Sequence, residues 1–254
     1  MAVIWNPTVR KSVGIVIPIP KAGYKRIIVG FGVCPDTSDP KLVKISATNI
    51  PSMWEVHVFT LSTRFWKTVY MGAPFKSCNL MWFQVFVNGV IYFRASDFNF
   101  VNQVRSNFII SFDLKSEKFG EVCLPERLVH TPYLDLDVAK VNESLGLLEY
   151  YAEGDMRVCG VWTRNDGDNK TFSKIYTIKV VGKSLLSRVL TFRNNGEVVM
   201  QLDDDNNHEY RIEVYEPLSG LISGVRINGN QRTFSARSYM ETLLLLDESD
   251  SVIH

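Results

Sequence analysis

The sequence is short of the features that announce chemistry. Its four cysteines, Cys34, Cys78, Cys123 and Cys159, lie 44, 45 and 36 residues apart, so no Cys-x-x-Cys pair exists to hold zinc or run thiol exchange. A chain of 254 residues is long enough to bury a substantial core without disulfide staples, and reduced, buried thiols are the expectation. An excess of one charge is missing too. Lys and Arg number 28 against 27 Asp and Glu, and the basic residues are dispersed among acids rather than gathered into a stripe, which argues against a nucleic-acid reader and against an acidic membrane surface. No apolar run approaches the roughly 20 residues that cross a bilayer. The opening MAVIWNPTVRKSVGIVIPIP does not run from a basic region through an apolar run to small residues, as a secretory signal would. These features lead us to expect an intracellular protein, cytoplasmic or nuclear, in which the glycosylation tripeptides at Asn142 and Asn169 stay idle.

Catalytic signatures are equally scarce. Gly-x-Ser-x-Gly does not occur, and His57, His130, His208 and His254 show no ligand spacing with the cysteines. Gly30-Phe31-Gly32 lacks the third glycine and following helix of a dinucleotide site, and Asp166 and Asp168 lack the glycine and terminal glutamate of a calcium loop. No enzyme activity, no cofactor and no metal are expected.

What the sequence does have is β-prone runs punctuated by turn residues. The stretch Val85–Pro125 is the clearest: a strand opened by Asn88-Gly89, then a polar loop, then FIISFDLKSEKFGEV, in which Asp113 ends a strand and organises the turn through Lys115-Ser116-Glu117. Trp54–Leu61 alternates, with His57 as an ordinary strand residue. Five segments share one pattern of strand, polar or proline turn, and strand: Ile4–Ile17, Val56–Val69, Ile109–Val122, Ile175–Leu190 and Ile212–Val225. Their starts are 52, 53, 66 and 37 residues apart, which places most of them near the roughly 40 to 50 residue period of propeller blades. Leu134–Ala139 and Leu145–Tyr151 read as inner strands, Val158–Thr163 as the next, Phe172–Val180 with Ser187–Phe192 as an outer pair, and Tyr210–Tyr215 with Leu221–Ile227 as another. A single such unit leaves one apolar sheet face bare, and stacking successive four-stranded units covers it. The predicted fold is all-β, built of antiparallel propeller-like blades, incomplete or closed into a ring by a C-terminal strand at Tyr239–Leu246, for which a helix is the rival reading.

The ordered set Trp5-Asn6-Pro7-Thr8, Val29-Gly30-Phe31-Gly32, Val58-Phe59-Thr60-Leu61, Val87-Asn88-Gly89-Val90 and Ile110-Ser111-Phe112-Asp113-Leu114 resembles the F-box-associated interaction domain of plant F-box and kelch-like proteins. Leu145-Gly146-Leu147-Leu148, Val161-Trp162, Phe172-Ser173-Lys174-Ile175-Tyr176 and Tyr239-Met240-Glu241-Thr242-Leu243 continue the likeness in the same order. The resemblance implies a protein-interaction module like the substrate-recognition domain of an SCF-type E3 ubiquitin ligase, spanning residues 1–248 with a flexible tail at 249–254. In that family an F-box docks onto a Skp1-like adaptor. No leucine- and proline-rich F-box precedes Trp5, so the resemblance implies a partial or divergent member that meets the adaptor only through a longer form. The alternatives are a scaffold domain without ligase attachment and an enzyme with an unrecognised pocket. Because aromatic and arginine side chains carry much of the energy of protein recognition, the candidate contacts with an unknown substrate protein are Arg94, Phe98, Phe100, Tyr150, Tyr151 and Arg164.

Overall fold

The computed structural model describes residues 1–19, 24–48, 54–72, 79–99, 104–132, 134–165, 171–180, 184–204, 209–230, 234, 236 and 252–253. The expected closing strand at Tyr239–Leu246 and the loop residue Phe100 lie outside them. The chain divides into two compact units, Met1–Ser77 with Tyr239–His254, and Cys78–Ser238.

In the first unit, β1 (Ala2–Asn6) and β2 (Lys11–Ile15) form a hairpin, and β3 (Tyr24–Val33), β4 (Pro40–Thr48), β5 (Trp54–Thr60) and β6 (Phe65–Met71) form a four-stranded antiparallel sheet in chain order. Alternation fixes which side chains turn inward. Ile4, Val13 and Ile15 of the hairpin pack with Leu42, Phe59 and Leu61 of the sheet, and Trp66 lies against that cluster, its indole N–H donating to the Val16 carbonyl at 3.0 Å.

The second unit repeats the four-stranded meander three times. Its sheets are β7 (Asn79–Val87), β8 (Val90–Asn99), β9 (Val104–Asp113) and β10 (Lys118–Val122); β11 (Leu136–Val141), β12 (Ser144–Glu153), β13 (Met156–Arg164) and β14 (Phe172–Ile178); and β15 (Ser184–Phe192), β16 (Val198–Asp204), β17 (Glu209–Tyr215) and β18 (Ile222–Gly229). One helical turn, α1 (Glu126–Val129), sits in the connection from β10 to β11. Both faces of the β11–β14 sheet are covered. Leu145, Leu147 and Phe172 join Ile109, Val122 and Leu128, while Leu148, Tyr150, Cys159 and Val161 join Leu186, Val189 and Met200. Back in the first unit, β19 (Val252–Ile253) runs parallel to β2.

The third strands start at residues 2, 54, 104, 156 and 209 when the β1–β2 hairpin is counted with the rest, giving intervals of 52, 50, 52 and 53. This corrects the expected spacing. Ile175–Leu190 is not a hairpin: β14 ends one sheet and β15 opens the next. Leu134, expected in a strand, lies in the turn before β11. Four hairpins of third and fourth strands share one backbone turn, and three of them one side-chain contact. Arg10, Arg64, Glu117 and Gly220 close them with φ of 54°, 55°, 54° and 71°. A polar side chain at the end of the third strand accepts backbone N–H groups of the turn: Asn6 from Thr8 at 3.0 Å, Asp113 from Lys115 and Ser116 at 2.9 and 2.6 Å, Glu216 from Leu218 and Ser219 at 3.0 and 2.6 Å. Asp113 is thus the turn organiser its sequence position predicted. Two of the first-to-second strand turns are tighter. Asn88-Gly89 and Asn142-Glu143 both have positive φ at their two central residues, the type I′ pattern that matches strand twist.

Cys34 and Cys159 are buried free thiols, as expected; Cys123 is a free thiol too, but it is exposed, at the end of β10 where the chain leaves the sheet. Cys78 lies outside the described residues. Among the described residues no helix is long and apolar enough to cross a membrane.

Candidate functional site

The second strand of the β11–β14 sheet turns into the third through Gly154 and Asp155, with Glu153 paired to Met156 across the turn. Gly154 has φ of 62°, a conformation glycine takes without strain, and the two-residue connection fixes the hairpin tip firmly. The tip stands at the end of the second unit where β11 and β15 begin. Tyr151, Ala152, Asp155 and Met156 of the hairpin, together with Asp135 before β11 and Leu185 of β15, line a concavity of about 340 Å³. Its apolar residues are partly open to solvent. Met156 and Leu185 are 37% and 38% exposed, and Leu134, next to the lining Asp135, is 70% exposed.

The wall of the concavity is fixed by polar contacts. The Tyr150 N–H donates to the Asp135 carbonyl at 2.7 Å, setting the start of β11 against β12. Arg157 reaches the Asp135 carboxylate at 3.4 Å and lies 5.2 Å from the centroid of the Tyr150 ring. On the neighbouring face, Glu149 is buried and accepts from two donors, Arg127 Nε at 2.7 Å and the Trp162 indole at 3.2 Å. Arg127 comes from α1, which Asn107 of β9 secures by donating to the Leu128 and Thr131 carbonyls at 3.3 and 2.7 Å. The Arg127 guanidinium and the Lys174 ammonium stand 5.6 and 4.9 Å from the Tyr151 ring centroid, a cation–π arrangement. Lys174 also donates to the Tyr151 hydroxyl at 2.8 Å. Partial burial raises the Tyr151 phenol, but hydrogen bonds from Lys174 and Thr177 and the lysine's charge outweigh it and hold the group below its ordinary value. Gly160 opposite Glu149 leaves room for this lysine, since a Cβ there would stand 2.9 Å from Lys174 Cε.

Such a surface can bind but has little to react with. Glu149 is a fastener with both oxygens occupied. Among the described residues no three His, Cys, Asp or Glu side chains gather as metal ligands.

The sequence-derived candidates scatter over this geometry. Tyr151 is at the concavity. Tyr150 points to the other face of the same strand and is core, its hydroxyl accepting the Val189 N–H at 2.9 Å while burial pushes its phenol well up. Arg94 is in the middle of β8 and buried rather than in a loop. Phe98 lies near the end of β8, its backbone paired with Arg105. Arg164 is half-buried at the opposite end of β13 from the tip. Arg127, Glu149, Lys174, Met156 and Leu185 were not picked out by sequence reasoning. Two signals could have found Glu149 and Met156: an acid inside the otherwise apolar SLGLLEYYA, and Gly154-Asp155, a hairpin dipeptide marking the tip.

Comparison with known proteins gives a consistent assignment. The family model described as F-box associated beta propeller domain matches residues 1–249. An Arabidopsis thaliana protein named as an F-box protein is 30% identical over 182 residues, covering 68% of this chain and 39% of that protein. A second F-box protein of that plant is 34% identical over 131 residues, covering 48% of this chain and 30% of that protein. The matched stretch therefore spans well under half the length of these relatives. Among solved structures, a family 117 glycoside hydrolase of Zobellia galactanivorans superposes with a TM-score of 0.43 at 10% identity, over 84% of this chain and 74% of that one, a likeness that says nothing of activity.

Proposed function

This chain belongs to the F-box associated beta propeller domain family, and from that premise we propose that it is the substrate-recognition module of an SCF-type E3 ubiquitin ligase. It works by holding a target protein, not by chemistry of its own. The observation that carries this reading is the concavity at the β12–β13 tip, where exposed Met156 and Leu185 meet Tyr151 and Arg157. A protein interface draws its energy from such a combination, apolar contact at the centre with aromatic and arginine side chains around it. The rigid sheet behind the tip lowers the ordering cost of binding. Attachment to the ligase runs through a Skp1-like adaptor that meets an F-box in a longer form of the protein. The setting is inside the cell, in cytoplasm or nucleus, and neither cofactor nor metal takes part.

The test is to express the tagged chain and a tagged longer form in plant cells with the proteasome inhibited. The same target proteins should purify with both, and the Skp1-like adaptor with the longer form alone. Overproducing the shorter chain should then lengthen the half-lives of those targets by competing for them. Targets whose half-lives do not change would point to a scaffold without ligase attachment.

A further inference from the structure

Building on the substrate-recognition reading, we propose that the concavity at the β12–β13 tip takes a short apolar and basic segment of the target, with an aliphatic or aromatic side chain against Met156 and Leu185 and a Lys or Arg beside Asp155. Three observations fix this chemistry.

The first is the apolar content of the site. Met156 and Leu185 are both more than a third exposed at one concave place, and the exposed Leu134 neighbours the lining Asp135 in sequence. Water next to them is released when an apolar side chain enters, and methionine, unbranched and polarisable, adapts to several side-chain shapes. The volume, about 340 Å³, accommodates a segment of one or two large side chains rather than a flat protein face.

The second is charge. Among the described residues, four cations around the tip have acceptors. Arg157 faces Asp135 at 3.4 Å, Arg127 binds Glu149 at 2.7 Å, Lys179 binds Glu153 at 2.8 Å, and Lys174 donates to Tyr151. Asp155 is different. It lines the concavity and makes no hydrogen bond or ion pair with any described residue. An acidic segment would have to break these pairs to find a donor, whereas a basic one gains a carboxylate that no described residue competes for.

The third is position. Asp155 occupies the turn and Met156 begins β13, so the anionic and apolar contacts are one residue apart on a fixed hairpin. A segment satisfying both carries its apolar and basic side chains one or two residues apart.

The experiment is selection of a random heptapeptide phage library on the purified chain, in parallel with Asp155→Lys and Met156→Asp. Both substituted side chains are exposed, and matching thermal unfolding curves confirm that the fold is kept. The wild-type chain should enrich peptides with Leu, Ile, Met or Phe followed within two positions by Lys or Arg. A synthetic winner should bind the wild-type chain at least ten-fold more tightly than either variant, and selection on Asp155→Lys should replace the basic position with Asp or Glu. Winners without a basic residue, winners that bind Asp155→Lys as well as wild type, or no enrichment at all would overturn the proposal. Target capture that is the same for wild type and Met156→Asp would overturn this site while leaving the recognition reading intact. Unchanged target half-lives with the peptide preference present would do the reverse.

Discussion

Asp113 shows how much one side chain can do in a fold made of repeated turns. It accepts the N–H groups of Lys115 and Ser116 at 2.9 and 2.6 Å. Partial burial pushes its carboxyl up, but the donors of Ser116 and Lys115 outweigh this and hold it below the ordinary carboxylate range. Replacing it with alanine is expected to cost about 1 kcal/mol at pH 7, like the loss of a helix N-cap, which does the same work. The sign of the pH dependence follows from the depressed value. The stabilisation is present in full above the unfolded carboxyl's pKa of about 3.9 and is lost as pH falls through the lower folded one. Urea unfolding of wild type and Asp113→Ala should therefore separate at pH 7 and converge as pH drops below about 4, and a gap that persists into acid would mean that the side chain acts by packing. Asp113 was legible because an Asp before a turn has few other uses. Tyr150 and Tyr151 were not. Neighbours on a strand point to opposite faces, and with both faces of the β11–β14 sheet apolar there is no alternation to say which tyrosine is core.

At the scale of elements, the two kinds of hairpin divide the labour of the sheets. The tight β7–β8 and β11–β12 turns set register, and Asn88 of one donates to the Glu143 carbonyl of the other at 3.1 Å, linking two sheets of the second unit. Glu143 itself is held at φ of 62°, a conformation that costs an L-residue roughly 1 kcal/mol. Its ion pair with Lys140 at 2.7 Å leaves it 70% exposed, a setting in which a salt bridge offsets little. Glu143→Gly keeps the carbonyl that Asn88 uses and should raise stability by about 0.5 to 1 kcal/mol, read as a higher urea midpoint with an unchanged slope; a lower midpoint would show that the glutamate side chain matters more than its backbone. Hairpins were the readable part of the sequence because their turn residues are specific. The connection from β14 to β15 was misread for the opposite reason. Gly182-Lys183-Ser184 reads as a turn, and composition cannot say whether the strands on either side pair with each other or belong to different sheets.

For the whole molecule, fold class and family were readable, and the period and the proposed binding surface only partly so. Strand–turn–strand units whose starts lie 52, 53, 66 and 37 residues apart led to blades of antiparallel sheet, and the order of the motifs led to the family that the match over residues 1–249 assigns. The concavity depends on residues far apart in sequence, Asp135, Met156 and Leu185, which come together only when successive sheets stack. No local pattern records that. The central claim is that recognition happens at this end of the second unit, and the most direct measurement is amide hydrogen exchange of the chain with and without a bound target. Slower exchange in 134–136 and 151–157, with the β1–β2 hairpin unchanged, is the predicted result. Protection confined to other segments, with the β12–β13 tip exchanging as fast as in the free chain, would contradict it.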